Sequence, residues 1–297
     1  MVLGATMLAC AAPTVADGML GDQGKLPLTA GFSSVEGAGG GGLTPWALIT
    51  GYGSSDSWGA NTYVTGIALS DFDFSSAGVG VGIRDRFELS FARQMLDATD
   101  GTLDGISVSQ DVIGAKLRIF GDAVYAQDSW APQVAIGAQV KRNRGIRDAA
   151  RIGAPDLVDV TQLGARDEDD VDYYLSATKI WLAQGLLLNA TLRYTRANQF
   201  GLLGFGGDRD DDAAIRAEGS LAYLVRRKVA VGVEYRARGR NLSGDDETAA
   251  WDAFAAWTPN RHVSIVAAYV NVGSIAAPLT GQSSDQAGAY LSAQVGF

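Results

Sequence analysis

Histidine, cysteine and proline are scarce in this chain, at one, one and seven residues of 297. A single cysteine, Cys10, leaves no partner for a disulfide within the chain and no basis for a cysteine metal site. A single histidine, His262, follows the turn Thr258-Pro259-Asn260, and no other residue could serve as the histidine base of a hydrolytic triad. His262 reads better as an interfacial side chain than as a catalytic one. Apolar residues make up 47% of the chain, yet no run of about 18 uncharged apolar residues occurs, so a membrane-spanning helix is excluded. Basic residues are outnumbered 24 to 33, with a net charge of −9, and a nucleic-acid partner would lack its basic patch.

What the chain has in quantity is alternation. Its last nine residues place Ala289, Leu291, Ala293, Val295 and Phe297 on one face, and Tyr290, Ser292, Gln294 and Gly296 on the other. The strand ends on an aromatic residue, which resembles the C-terminal signal read by the barrel-assembly machinery of bacterial outer membranes; Leu291, Ala293, Val295 and Phe297 carry it. In such a strand the oily face meets lipid and the wet face a lumen. The same alternation recurs upstream. Leu186, Leu188, Ala190, Leu192 and Tyr194 oppose Asn189, Thr191, Arg193 and Thr195; Val229, Val231, Val233 and Tyr235 oppose Gly232, Glu234, Arg236 and Arg238. Charged residues at alternate strand positions suit a wet lumen and not a soluble sandwich.

The expected fold is therefore all-β, an antiparallel up-and-down transmembrane barrel of about fourteen strands, with twelve as the alternative. The count of fourteen includes stretches at Leu26–Ser33 and Trp46–Tyr52. Residues 1–16 read as a signal peptide and 17–297 as one barrel domain, with a long external loop at 141–170. The run Gly37 to Gly42 has no Gly-Lys-Ser/Thr after it and reads as a flexible loop. Gly78, Gly80 and Gly82 leave one strand bare on its inner face, a wall for something to pack against. Tyr173, Trp181, Tyr194, Tyr223, Trp251 and Trp257 are the candidate aromatic girdle.

The segment Arg196-Ala197-Asn198-Gln199-Phe200-Gly201-Leu202-Leu203-Gly204-Phe205-Gly206-Gly207-Asp208, with Gly24 to Gly31 and the glycine-rich Glu36 to Trp46, resembles a bacterial family of uncharacterised outer-membrane proteins catalogued only as a domain of unknown function. The resemblance implies an outer-membrane barrel and no established activity. Phe200, Leu202, Leu203 and Phe205 are apolar for an external loop, and either fold inward as a constriction, contact a partner or pack on the barrel rim.

Function is expected in the lumen, lined by Lys116, Arg118, Arg193, Arg216, Glu218, Glu234, Arg236 and Arg238. A passive channel or facilitator for small polar solutes is the leading reading, with a weak preference for anions. A transporter of hydrophobic substrates, with Phe254, Val266, Val270 and the Phe200 to Phe205 loop as its path, and a plugged scaffold or adhesion protein are the rivals. No enzyme activity, cofactor or metal is expected. The acidic runs at Asp167 to Asp170 and Asp208 to Asp212 lack the pattern of a calcium loop. They read as solvated charge at a surface of lipid and lipopolysaccharide.

Overall fold

The computed structural model describes residues 25–26, 28–29, 32–245, 247–275 and 285–297. The expected signal segment, 1–16, lies outside them. Twelve strands form: β1 (Trp58–Ala68), β2 (Phe72–Ile83), β3 (Phe87–Ala98), β4 (Ser107–Phe120), β5 (Gln133–Arg147), β6 (Asp169–Trp181), β7 (Leu186–Thr195), β8 (Ala214–Arg226), β9 (Val229–Arg236), β10 (Ala250–Trp257), β11 (Val263–Asn271) and β12 (Ala287–Gly296). Each pairs antiparallel with its sequence neighbours. β12 returns to β1, from Asn61 opposite Gly296 to Ala68 opposite Ala289, and closes the barrel.

Alternation dictates which face of each strand looks out. In β7, Leu188, Leu192 and Tyr194 are 48%, 51% and 50% exposed, whereas Asn189, Thr191 and Arg193 are no more than 2% exposed. That is the reverse of a soluble sheet, and it requires an apolar solvent outside. The terminal strand obeys it: Leu291 and Ala293 face out and Val295 is half-buried, while Tyr290, Ser292 and Gln294 are buried. Tyr173, Tyr194, Tyr223, Trp251 and Trp257 are exposed on the outer wall and Trp181 is half-buried.

The connections sort by rim. At the rim holding the C-terminus lie 84–86, 121–132, 182–185, 227–228 and 258–262; at the other lie 69–71, 99–106, 148–168, 196–213, 237–249 and 272–286. The second set is the longer, as external loops are.

Of the two further stretches expected as strands, Trp46–Tyr52 is not a strand and Leu26–Ser33 lies partly outside the described residues; among the described residues the barrel closes with twelve strands, the alternative count. Residues 33–52 run inside the barrel as a compact plug. The reason is the glycine run. Ser33 bridges Gly39 and Gly40 bridges Pro45, folding the segment on itself. At Gly40 a Cβ would lie 2.4 Å from the Thr44 carbonyl oxygen and 2.7 Å from the Trp46 nitrogen, so a side chain there would have to displace the plug's own backbone. The Gly37 to Gly42 run is thus ordered and not a flexible loop. The bare inner wall of β2 is where the plug's far end rests: a Cβ on Gly82 would stand 2.2 Å from the Thr50 carbonyl oxygen. The loop expected at 141–170 is shorter, because β5 runs to Arg147 and β6 begins at Asp169. Lys141 belongs to the wall and is fully buried.

Gly82→Val is expected to weaken the seat of Ile49 to Tyr52 by about 1–3 kcal/mol through overpacking while the ladder still closes. Gly66, with nothing within 4 Å of its Cβ position, supplies the matched control as Gly66→Val. Amide hydrogen exchange across residues 49–52 checks this; equal protection in the two variants would refute it.

Candidate functional site

The plug enters at the terminal rim, where Lys25 Nζ pairs with Asp85 at 2.7 Å and donates to the Ile49 and Gly51 carbonyls at 2.9 and 3.1 Å. It leaves at the same rim, where the Tyr52 N–H donates to the Phe297 carbonyl at 2.7 Å. Between these points its peptide groups are held by inward side chains of the wall. Gln94 and Ser76 both donate to the Val35 carbonyl at 2.7 Å. Glu88 accepts from the N–H groups of Gly39 and Thr50 at 2.9 and 2.8 Å. Lys116 donates to the Gly39 and Leu48 carbonyls at 2.8 Å and pairs with Glu88 at 3.0 Å. Glu234 accepts from the Leu43 N–H and the Thr44 hydroxyl, both at 2.8 Å.

At the plug's tip one charge meets several. Glu36 accepts from Lys141 at 2.5 Å and Arg236 at 2.9 Å and pairs with Arg193 at 3.1 Å. Asp172 pairs with Lys141 at 2.8 Å and Arg193 at 3.3 Å; Glu218 pairs with Arg193 at 2.5 Å and Arg236 at 3.3 Å. Three bases and three acids are gathered, and all six are buried. The wall supplies the three bases and only two of the acids. Glu36 completes the balance, and in a low-dielectric interior that neutrality is what makes burial tolerable.

The loop Arg196–Gly206 closes the other end. Its Phe200, Leu202, Leu203 and Phe205 are buried, so it folds inward. Phe200 stacks with two guanidinium groups, with Arg236 Cζ 4.4 Å and Arg238 Cζ 4.1 Å from its ring centre. Gln199 and Phe200 hold φ of 45° and 62°, a left-handed strain that these contacts offset. The Gln199 N–H also donates to Glu247 at 2.8 Å. Val266 and Val270 pack in the same apolar cluster as Leu202 and Leu203, with Phe254 against it.

The sequence-predicted residues thus separate. Lys116, Arg193, Glu218, Glu234 and Arg236 converge on the plug. Arg118 instead stands at the terminal rim, paired with Asp85 and Asp122 and donating to the Gly121 carbonyl. Arg216 and Arg238 sit toward the loop end. Sequence reasoning missed Glu36 and Lys141. The signal for the first was an acid at the head of a glycine run, in a chain whose expected inward bases outnumber its inward acids. Interior cavities among the described residues hold only about 10 to 60 Å³, room for water and not for a solute. A hollow of about 880 Å³ lies on the outer wall, where Phe87, Leu117, Ile136, Leu175, Leu192 and Ile215 face lipid. His262 Nδ1 lies 2.9 Å from the Gly296 carbonyl oxygen, and its ring packs 5.6 Å from that of Phe297. Asp167, Asp170 and Asp211 surround Arg196, at 2.6, 2.6 and 2.8 Å.

A family described as protein of unknown function (DUF3034) matches residues 29–294, a span that takes in both the plug and the barrel. The chain belongs to this family. No curated protein matches it in sequence. Among solved structures the NanC porin superposes with a TM-score of 0.52 at 9% identity, over 80% of this chain and 98% of its own. The KdgM porin gives 0.48 at 8% identity, over 80% and 99%. Outer membrane phospholipase A from Escherichia coli gives 0.42 at 8%, over 83% and 94%. The likeness to NanC is one of fold, and this member of the family is a porin-like β-barrel of the bacterial outer membrane.

Glu36→Gln leaves three buried bases against two acids, and losing one partner of a buried ion-pair network costs about 3–5 kcal/mol. The plug of the variant is expected to become open to protease and to lose amide protection over residues 33–45 while the strands keep theirs. Unchanged protection would show that the cluster does not hold the plug.

Burial, opposed by Arg238, lifts the Glu247 carboxyl from its ordinary 4.5 to about 8. A carboxyl raised on folding binds more protons folded than unfolded, so its contribution is fullest below about pH 4.5 and declines as pH rises to about 8. Hydrogen exchange of residues 199–205 is expected to quicken over that range, and Glu247→Gln to flatten the response.

Proposed function

We propose that the protein is a closed channel of the outer membrane, gated by its own residues 33–52, which admits small polar solutes when that plug is displaced. The observation that supports this reading most is the balance at Glu36. The wall alone carries Lys141, Arg193 and Arg236 against Asp172 and Glu218, a surplus of one positive charge, so the bared ring favours anions. Much of the plug's remaining attachment is through its peptide groups, which water satisfies nearly as well once they leave. A gate needs such a seat.

One observation favours a second reading. Glu36 is wholly buried, at 0% exposure, and a plug so held that it never leaves would make the barrel a structural protein.

Planar-bilayer conductance of the purified, refolded protein separates the two. The intact chain is expected to be closed for most of the record, with brief openings. A chain lacking residues 33–50, and Glu36→Gln in the full chain, are expected to conduct steadily, with anions preferred in a salt gradient. Silence from both variants, each shown to be folded by its heat-dependent shift on a denaturing gel, would overturn the channel reading in favour of the scaffold.

A further inference from the structure

Three arginines stand abreast at the loop end of the lumen. Arg193 on β7 is the registered partner of Arg216 on β8. The β8–β9 register pairs Glu218 with Arg236, and the Ala237 N–H continues it by donating to the Ala217 carbonyl at 2.9 Å, which sets Arg238 opposite Arg216. Like charges directly across a ladder repel. Arg193 has three carboxylates to offset this.

The other two are not so provided. Arg238 has a side chain only 4% exposed, yet its Nε and Nη2 have no acceptor. Its Nη1 donates to Gln199 Oε1 at 2.5 Å, and the nearest carboxylate, Glu247, stands 3.8 Å away. Burial, against the weak pull of Glu247, drives the guanidinium down to about 10. Nε and Nη2 are the two parallel donors with which arginine grips a carboxylate or phosphate. A buried donor pair of this kind without an acceptor is rare in a folded protein. Arg216, half-buried, has no ion pair or hydrogen bond to any described residue. Gly239, next along the chain from Arg238, brings its backbone close to Arg216: a Cβ there would lie 3.1 Å from Arg216 Nη2 and 3.0 Å from the Asn241 carboxamide oxygen, so any larger residue would crowd the guanidinium.

We propose that Arg216 and Arg238 form a binding site for the oxyanion group, carboxylate or phosphate, of a small solute, with the vacant fork of Arg238 as its bidentate anchor and Arg216 as the second cation. The site rests on the channel reading and names the class of solute: an anion arriving from the loop end. It lies two residues along the same chain segments from Glu218 and Arg236 of the Glu36 cluster and shares Phe200 with that cluster, because Phe200 stacks on both Arg236 and Arg238. An anion on the Nε–Nη2 edge of Arg238 therefore binds a guanidinium that the inward loop already holds through Phe200 and Gln199, next to the plug's own counter-charges.

Thermal unfolding of the full chain in detergent tests the site without requiring flux. Inorganic phosphate, and separately succinate, is titrated against chloride at constant ionic strength. The midpoint is expected to rise with either probe, logarithmically once its concentration exceeds the dissociation constant, and Arg216→Gln and Arg238→Gln each to raise the dissociation constant read from that rise roughly 10- to 100-fold. Arg216→Gln without phosphate should unfold no earlier than wild type, since it relieves repulsion and breaks no pair, which keeps the test readable if Arg238→Gln folds poorly. Arg142→Gln, a change at an exposed arginine on β5, serves as the control and should respond as wild type does. Phosphate and succinate acting no better than chloride, an equal loss in the control, or a response to lipopolysaccharide alone would overturn the site. Binding in a barrel whose plug-deleted form never conducts would sink the channel reading and leave the site standing; conduction without binding would do the opposite.

Discussion

The structure depends on one constraint: charged side chains that a barrel turns inward must find countercharge or water. In a wide barrel water does this. Here the bore is narrow enough for side chains and one folded segment to fill it, and six ionised groups meet at its centre with no room between them. Five belong to β5, β6, β7, β8 and β9, and they cannot be neutral without a sixth from elsewhere. Glu36 is that sixth, and its position fixes where the N-terminal segment lies.

From this follows the use of glycine. To bring Glu36 to the bases of three strands at once, the chain must enter the bore, turn and go back within about twenty residues, and side chains on both passes would not fit. The segment therefore presents its backbone to the wall, and the wall answers with Lys116, Glu88, Glu234, Gln94 and Ser76. Such attachment is specific in register yet made of bonds that water can replace singly, a combination suited to a part that stays in place until its charged tip is released.

The loop end is built on a different principle. Phe200 is held by two cations stacked on its ring, over a strained backbone, and the apolar residues beside it join a cluster formed by the strand tops. Closure there relies on burial and on arginines that are short of countercharge, while closure at the centre relies on charge balance. The two meet at Arg236, which touches both Glu36 and Phe200, so a change at one end is felt at the other.

By itself the sequence determined the barrel, its lipid-facing and inward residues and the terminal strand that closes it, because a two-residue period is local and each strand states its own orientation. It also marked the bare glycine wall of β2 and the greasy loop at Phe200 as places where something must pack. It did not determine the strand count, since Trp46 to Tyr52 alternates weakly as a strand does, and only the packed interior shows that its hydrogen bonds go to wall side chains instead of a ladder. Nor did it reveal Glu36 or Lys141, because what makes them matter is neutrality among six residues spread across some two hundred positions. Charge balance is a property of proximity, and proximity of that kind exists only once the barrel has closed.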